Sequence, residues 1–356
     1  MVRAKWPARL CTLRSFQSLK VHKTGGIRQA NLQLAARQPF DRLDCKGLKG
    51  ALLLFLGFSA HAFGAGLSSY SQLVVNDSVT TPRNGVRVTY LGTNGFELRS
   101  GNHVLLVDPY FSRINLSRIA LGTTIEPDLQ RIDDAMKHLG SGVDAIVVTH
   151  GHFDHLLDVP VIMQKIGARL IASRVAVSLA ERAGASASRC EIVMAGNIRR
   201  IGPWKISAFA ATHDRLFCCV PFAGEPHGDG PPRRAADWVC GEPLAYLIEI
   251  NGAHVYVDSG GTSAVLPPAN ITSVDLAILG AALPDSRARF SATVQRLRPS
   301  YVFPSHQDNF FRPLSAGFAF GPLTDFPRLL RDCKKAQLPG RLILLDYFRP
   351  WTLRRN

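Results

Sequence analysis

The sequence predicts an α/β domain of sheets covered by helices, running from about residue 84 almost to the end of the chain. Three observations predict it. Short β-rich runs alternate with helical patterns throughout this stretch. Several links are hairpins, with Asn251-Gly252 the strongest signal, so the sheets are not purely parallel. No internal repeat occurs.

Taken in order, Val86–Leu91, Val104–Val107 and Ala145–Thr149 read as strands. Asp158–Ile166 is a short helix, Leu170–Ser173 a strand, and Val175–Ala183 a helix that stops at Gly184. Ile206–Ala211, Leu244–Ile250 and His254–Asp258 are strands, the last two joined by the hairpin. Leu276–Leu279 and Tyr301–Phe303 follow as strands, with a helix over Ser286–Leu297 between them. A helix over Phe326–Lys335 precedes a strand at Leu342–Leu345. Phe222–Val239, rich in Gly and Pro, reads as a surface loop long enough to be functional.

With 356 residues, 46% hydrophobic and 19% charged, the chain can bury a substantial core. Its net charge of +15 first suggests nucleic acid or a membrane surface. Residues 1–66, however, hold 11 basic and 2 acidic groups, which leaves 31 and 25 for the rest. The body is therefore only mildly basic, without the Lys/Arg run that would grip RNA, and no nucleic-acid partner is expected.

Lys46 to Ala62 combines positive charge, the apolar run Ala51–Ala60 and a small-x-small end, the pattern of a secretory signal cleaved after Ala62. Ten apolar residues rise about 15 Å as a helix, too short to span a bilayer. The expected division is a basic arm plus signal over 1–66, a linker over 67–84 and the main domain over 85–356. A periplasmic or secreted location follows, with weak membrane anchoring as the variant and no transmembrane helix in the mature chain. Five cysteines remain after cleavage, and Cys218 or Cys219 is expected to pair with Cys240.

The chemistry lies in residues 147–155, Val-Val-Thr-His-Gly-His-Phe-Asp-His. A buried strand ends at Thr149, and His150, His152, Asp154 and His155 follow at once. Histidines two apart at a strand end can face one side. Imidazoles and carboxylates are the ligands that Zn²⁺ and similar ions take. Packed this closely they repel and desolvate one another unless a metal joins them.

Thr-His-x-His-x-Asp-His is the signature of the metallo-β-lactamase-fold hydrolase superfamily, which the chain resembles from about residue 85 to 346. Later positions match as well: Ala211-Thr-His213-Asp214, Val255-Tyr-Val-Asp258, Val302-Phe-Pro-Ser-His306 and the early Leu105-Leu-Val-Asp108-Pro-Tyr110. The resemblance implies a four-layer αβ/βα sandwich with two divalent ions between the sheets, Zn²⁺ first and Mn²⁺ or Fe²⁺ as alternatives. One ion would take His150, His152 and His213; the other would take Asp154, His155 and His306; Asp258 would bridge them. Asp108 would orient a ligand histidine. A hydroxide shared by the ions would attack the substrate, with Asp154 as the catalytic residue that orients it.

Tyr90-Leu-Gly-Thr-Asn-Gly-Phe96, Val107-Asp-Pro-Tyr-Phe111 and Ser305-His306 most resemble the branch of ascorbate-6-phosphate lactonase and N-acyl-phosphatidylethanolamine phospholipase D. That branch implies a lactone, ester or phosphodiester in a small-molecule or lipid-like substrate. The alternatives are a β-lactam-hydrolysing enzyme and a noncatalytic metal-binding sensor. The loop over 215–240 departs from the branch and is expected to overhang the site. Asp308 is a candidate behind the ligands, and Tyr110, Asn309 and Arg312 are candidates for the substrate pocket, with Arg312 facing an anionic group.

Overall fold

Alternation along the strands sorts the apolar residues into layers. The structure, a computed structural model, describes residues 66–75, 77, 85–216, 219–259, 271 and 274–354. The expected signal, Cys218 and most of 76–84 lie outside these. In chain order, β1 (Val86–Gly92), β2 (Gly95–Ser100) and β3 (His103–Val107) lead to α1 (Leu116–Ala120) and α2 (Leu129–Met136). Then come β4 (Val143–Val147), α3 (Phe153–Leu156), α4 (Val159–Ile166), β5 (Arg169–Ala172), α5 (Arg174–Arg182) and β6 (Cys190–Ile192). The second half holds β7 (Ile198–Ile201), β8 (Trp204–Ala210), β9 (Leu244–Ile250), β10 (Ala253–Asp258) and β11 (Leu276–Gly280). It ends with α6 (Pro284–Leu297), β12 (Tyr301–Ser305), α7 (Phe326–Lys335), β13 (Arg341–Leu342) and β14 (Pro350–Leu353).

These strands form two seven-stranded sheets, ordered β14-β1-β2-β3-β4-β5-β6 and β13-β12-β11-β10-β9-β8-β7. Each is half antiparallel and half parallel. Antiparallel pairs join β14 through β3 and β7 through β10; parallel pairs join β3 through β6 and β10 through β13. Leu105 and Val107 of β3, Ala145 and Val147 of β4, and Val255 and Val257 of β10 face one another in a core between the sheets. The opposite positions, such as Leu106, Ile146 and Tyr256, pack under helices on the two outer faces. The result is the expected αβ/βα sandwich. The hairpin forms as read: Asn251 and Gly252 both take positive φ, +50° and +76°, as a tight two-residue turn requires.

Three details differ from the sequence reading. Leu67–Leu73, placed in a linker, is a 3₁₀ helix that packs Leu67, Tyr70 and Leu73 on the outer core beside α7. The strand expected at Leu342–Leu345 is confined to Arg341–Leu342, because Leu344 leaves the sheet edge to bridge Val74 of that packed segment. The Gly/Pro-rich loop is not wholly at the surface: Ala235, Trp238 and Val239 are buried in the helix-side core of the first sheet. Their apolar area anchors the end of the loop. Among the described residues no helix is long and apolar enough to cross a membrane.

Candidate metal centre

β3, β4, β8, β10 and β12 all end at one edge of the sandwich, and the chemistry-bearing residues sit on the loops that leave them. After β4 the chain passes through Gly151, whose N–H donates to Cys240 O at 3.0 Å. A Cβ there would come within 2.3 Å of Val239 O, so only glycine lets the two segments meet. His152 then caps α3, and the first turn of that helix carries Asp154 and His155. His213 follows β8, and His306 follows β12 with a left-handed φ of +58°.

The structure brings six of the seven expected ligands together in two triads. His150, His152 and His213 form one; Asp154, His155 and His306 form the other. Within each triad one potential ligand atom per residue lies within 4.8 Å of the others. The two triads adjoin, with the His150 and His155 ring centroids 4.0 Å apart.

Hydrogen bonds outside the triads fix which nitrogen of His150, His152, His155 and His213 faces inward. Asp108, fully buried, is the hub. It accepts from Asn94 Nδ2 (2.8 Å), Thr149 N (2.8 Å), Thr149 Oγ1 (2.6 Å) and His155 Nδ1 (2.7 Å). Since Thr149 Oγ1 spends its proton on Asp108, it accepts from His150 Nδ1 at 3.1 Å. His152 Nε2 donates to Pro221 O (2.9 Å), and His213 Nδ1 donates to Asp214 O (2.8 Å). His150 Nε2 and His152 Nδ1 are therefore both bare lone pairs, yet they face each other at 3.0 Å. His155 Nε2 is buried without a hydrogen-bond partner and points toward Asp154 Oδ2, 3.6 Å away. Opposed acceptors and an orphaned buried nitrogen are costly alone and are resolved by a cation between them. The donor set fits divalent metal.

Electrostatics agree. Burial, reinforced by the neighbouring histidines, pushes His150 and His213 well below the usual imidazole range, and burial takes His152 down to about 4. Burial opposes charge on Asp154 too, but His155 and His306 hold it well below the usual carboxylate range. At neutral pH this leaves three bare imidazoles and an ionised carboxylate, the forms that bind metal. In the metal-free protein the unfolded chain takes up the His152 proton near 6.5, before the folded chain does near 4. Stability is therefore full above about 6.5 and falls as pH drops toward 4. Thermal melts of chelator-treated protein across that window are expected to descend with acidity; a flat profile would contradict the buried, neutral assignment.

His306 is oriented differently from the other histidines. Its Nδ1 is buried with no hydrogen-bond partner, so its backbone holds it. His306 N donates to Thr93 O at 2.6 Å. Two residues on, buried Asp308 accepts from Thr93 N (2.9 Å), Arg113 Nη1 (2.7 Å) and Tyr347 Oη (2.7 Å). Burial disfavours the Asp308 charge, and the Arg113 guanidinium restores it. Arg113 is itself buried, under the rings of Tyr110 and Tyr347. The turn Gly92–Gly95 thus ties both triads together, through Asn94 to Asp108 and through Thr93 to the His306 loop. A Cβ on Gly92 would fall 1.6 Å from Arg113 Nη2, so the turn also makes room for the guanidinium.

Other expectations are corrected. Asp258 joins neither triad; it ends β10 on the face of Tyr256, whose hydroxyl it engages. Tyr110 does not reach a pocket: it is fully buried, and its hydroxyl accepts from Ile114 N at 2.6 Å. Asn309 is buried and turns its Oδ1 onto Phe311 N, which folds the loop locally. Arg312 is exposed at the tip of that loop. Cys240 carries a free thiol, so its expected disulfide is not formed. The long loop does overhang the site: Pro221 contacts His152, and the Phe222 ring stands edge-on to His152 at 6.1 Å. Phe310 stands edge-on to His306 at 4.9 Å across from it. Sequence reasoning missed Thr93, Asn94, Arg113, Pro221 and Ser259; an isolated arginine or a main-chain carbonyl carries no pattern to find.

The family model for the beta-lactamase superfamily domain matches residues 103–298, which include the first triad, Asp154 and His155. The chain belongs to this superfamily. It is similar to a UPF0173 metal-dependent hydrolase from Aeropyrum pernix, 29% identical over 230 residues, covering 63% of this chain and 83% of that one. Another, from Myxococcus xanthus, is 25% identical over 268 residues, covering 72% and 82%. Among solved structures, a metallo hydrolase from Ignicoccus hospitalis is 17% identical with a TM-score of 0.51, covering 76% of this chain and all of that one. A metal-dependent hydrolase fold from Veillonella parvula is 14% identical, with the same TM-score and coverage. These two establish the shared metallo-β-lactamase fold.

Replacing Asp108 by Asn is expected to weaken metal binding by about 10- to 100-fold, the usual effect of losing a carboxylate behind a ligand histidine. Titration against a chelator measures it; unchanged affinity would mean that the hub does not orient the site.

Proposed function

We propose that the chain is an exported metal-dependent hydrolase that cleaves a lactone, carboxylic ester or phosphodiester with two divalent ions, Zn²⁺ in the first instance, held in the two triads. The observation that carries this reading is the inward-facing set of ring nitrogens on His150, His152, His155 and His213, pinned from behind, beside an ionised Asp154. Bound ions supply Lewis acidity and a water acidified toward neutral pH. Asp154 orients the attacking water by accepting its hydrogen bond, and its carboxylate stays ionised because His155 and His306 hold it so. Asp108 keeps His155 in one tautomer through the reaction. Phe222 and Phe310, both half-buried, flank the triads and would seat the apolar part of a small or lipid-like substrate.

The test is hydrolysis by the metal-loaded full chain of a panel of acyl lactones, p-nitrophenyl esters, bis-p-nitrophenyl phosphate and nitrocefin. Turnover of a lactone, ester or phosphodiester, abolished by chelation, is expected. Turnover of nitrocefin alone would make it a β-lactam-hydrolysing enzyme. Tight metal binding without turnover of any would favour a binding role. Export rests on residues 46–62 and predicts a processed chain beginning at Phe63; N-terminal sequencing of the natural protein tests it.

A further inference from the structure

The end of β10 is where the superfamily resemblance places a carboxylate between the two metals, and the chain puts something else there. Strand alternation decides the direction of each side chain. Val255 and Val257 point into the core between the sheets, and Tyr256 points to the helix-side core. Asp258 is the last residue of the strand, still paired in register with Leu279, so it shares the face of Tyr256. The buried Tyr256 hydroxyl, pushed up by burial and then by the Asp258 carboxylate, donates to it. The next residue, Ser259, resumes the direction of Val257. Its Oγ lies 3.3 Å from His150 Nδ1, on the same nitrogen that Thr149 Oγ1 holds. Residues 260–273 contain no Asp, Glu, His or Cys, so the segment that follows has no other ligand to offer as a bridge.

We propose that β10 contributes no bridging carboxylate to the metal centre: Ser259 acts as a positioning residue for His150, and Asp258 belongs to the outer core. This rests on the two-triad reading above and deepens it. The two ions are then held by separate three-residue sets, all-histidine in one and Asp/His/His in the other, without a shared anionic ligand. Each site loads and empties on its own, and the imidazole-only site is the better match for a borderline ion such as Zn²⁺ or Co²⁺.

The experiment is Co²⁺ titration of the full chain, followed by the visible absorption of the bound ion and by chelator competition. Asp258→Asn keeps the shape and still accepts the Tyr256 hydrogen bond. It is expected to bind two equivalents with affinities within about threefold of wild type and an unchanged spectrum. Ser259→Ala is expected to weaken only the all-histidine site, by about three- to tenfold, with Ser259→Thr restoring it. Loss of one equivalent in folded Asp258→Asn, or a shifted spectrum, would overturn the proposal while leaving the two-triad reading intact. Wild-type protein that binds no Co²⁺ would defeat the two-triad reading itself, and this proposal with it. Circular dichroism of each variant separates these results from misfolding.

Discussion

Replacing His150 by alanine is expected to reduce kcat/KM by more than about 100-fold, the upper end for losing only an outer partner of a ligand. His150 supplies one of three nitrogens to its triad, and its ring also packs against His152, His155 and His213. Removing it opens a gap that both triads share. Circular dichroism should stay native, because the sheets meet through their own apolar core and not through the triads. Activity within tenfold of wild type, in protein with full metal content, would contradict the assignment of the first triad.

The second large effect is on stability. Arg113 and Asp308 form an ion pair with both side chains fully buried, at 2.7 Å. Burying two charges is costly, and good geometry with every remaining bond satisfied is what offsets it. Asp308 meets that condition through Thr93 and Tyr347 as well as Arg113. Arg113→Met leaves the carboxylate buried and unpaired, and is expected to cost about 3–5 kcal/mol in denaturant unfolding. The paired replacement Arg113→Met with Asp308→Asn is expected to recover part of that loss, since the neutral amide buries no charge and its oxygen still accepts from the donors that Asp308 holds. A single variant as stable as wild type would mean that Asp308 is protonated or hydrated, and that the pair does not hold the His306 loop.

The strands nearest the site were the most legible in the sequence, for a physical reason. β3, β4, β10 and β11 are buried on both faces over most of their length, so they read as nearly continuous apolar runs. The missed strands are edge ones together with β2, a buried central strand whose Glu97 and Arg99 break the apolar run. β6 (Cys-Glu-Ile) and β7 (Ile-Arg-Arg-Ile) lie at sheet edges and are mostly exposed or half-buried. β14 pairs with β1 from the far end of the chain, a contact that no local pattern announces. The six triad residues were legible because each follows a strand end. Asp258 was misread because nothing in the motif tells whether the last residue of a strand faces inward, and that depends on a register set by neighbouring strands. Tyr110 was misread for a related reason: adjacency to Asp108 in sequence is not adjacency to the metals, and the ring turns into the helix-side core. The network behind His306 joins Gly92, Thr93, Arg113, Asp308 and Tyr347, residues distant in sequence that only the closed sandwich brings together.

The central claim is that two separate triads hold two ions. Elemental mass spectrometry of the metal-loaded full chain, beside its His150→Ala and His306→Ala variants, tests it most directly. Near two metals per wild-type chain and near one in each variant is the predicted result. No metal in the wild-type protein after loading, or two retained in both variants, would contradict it.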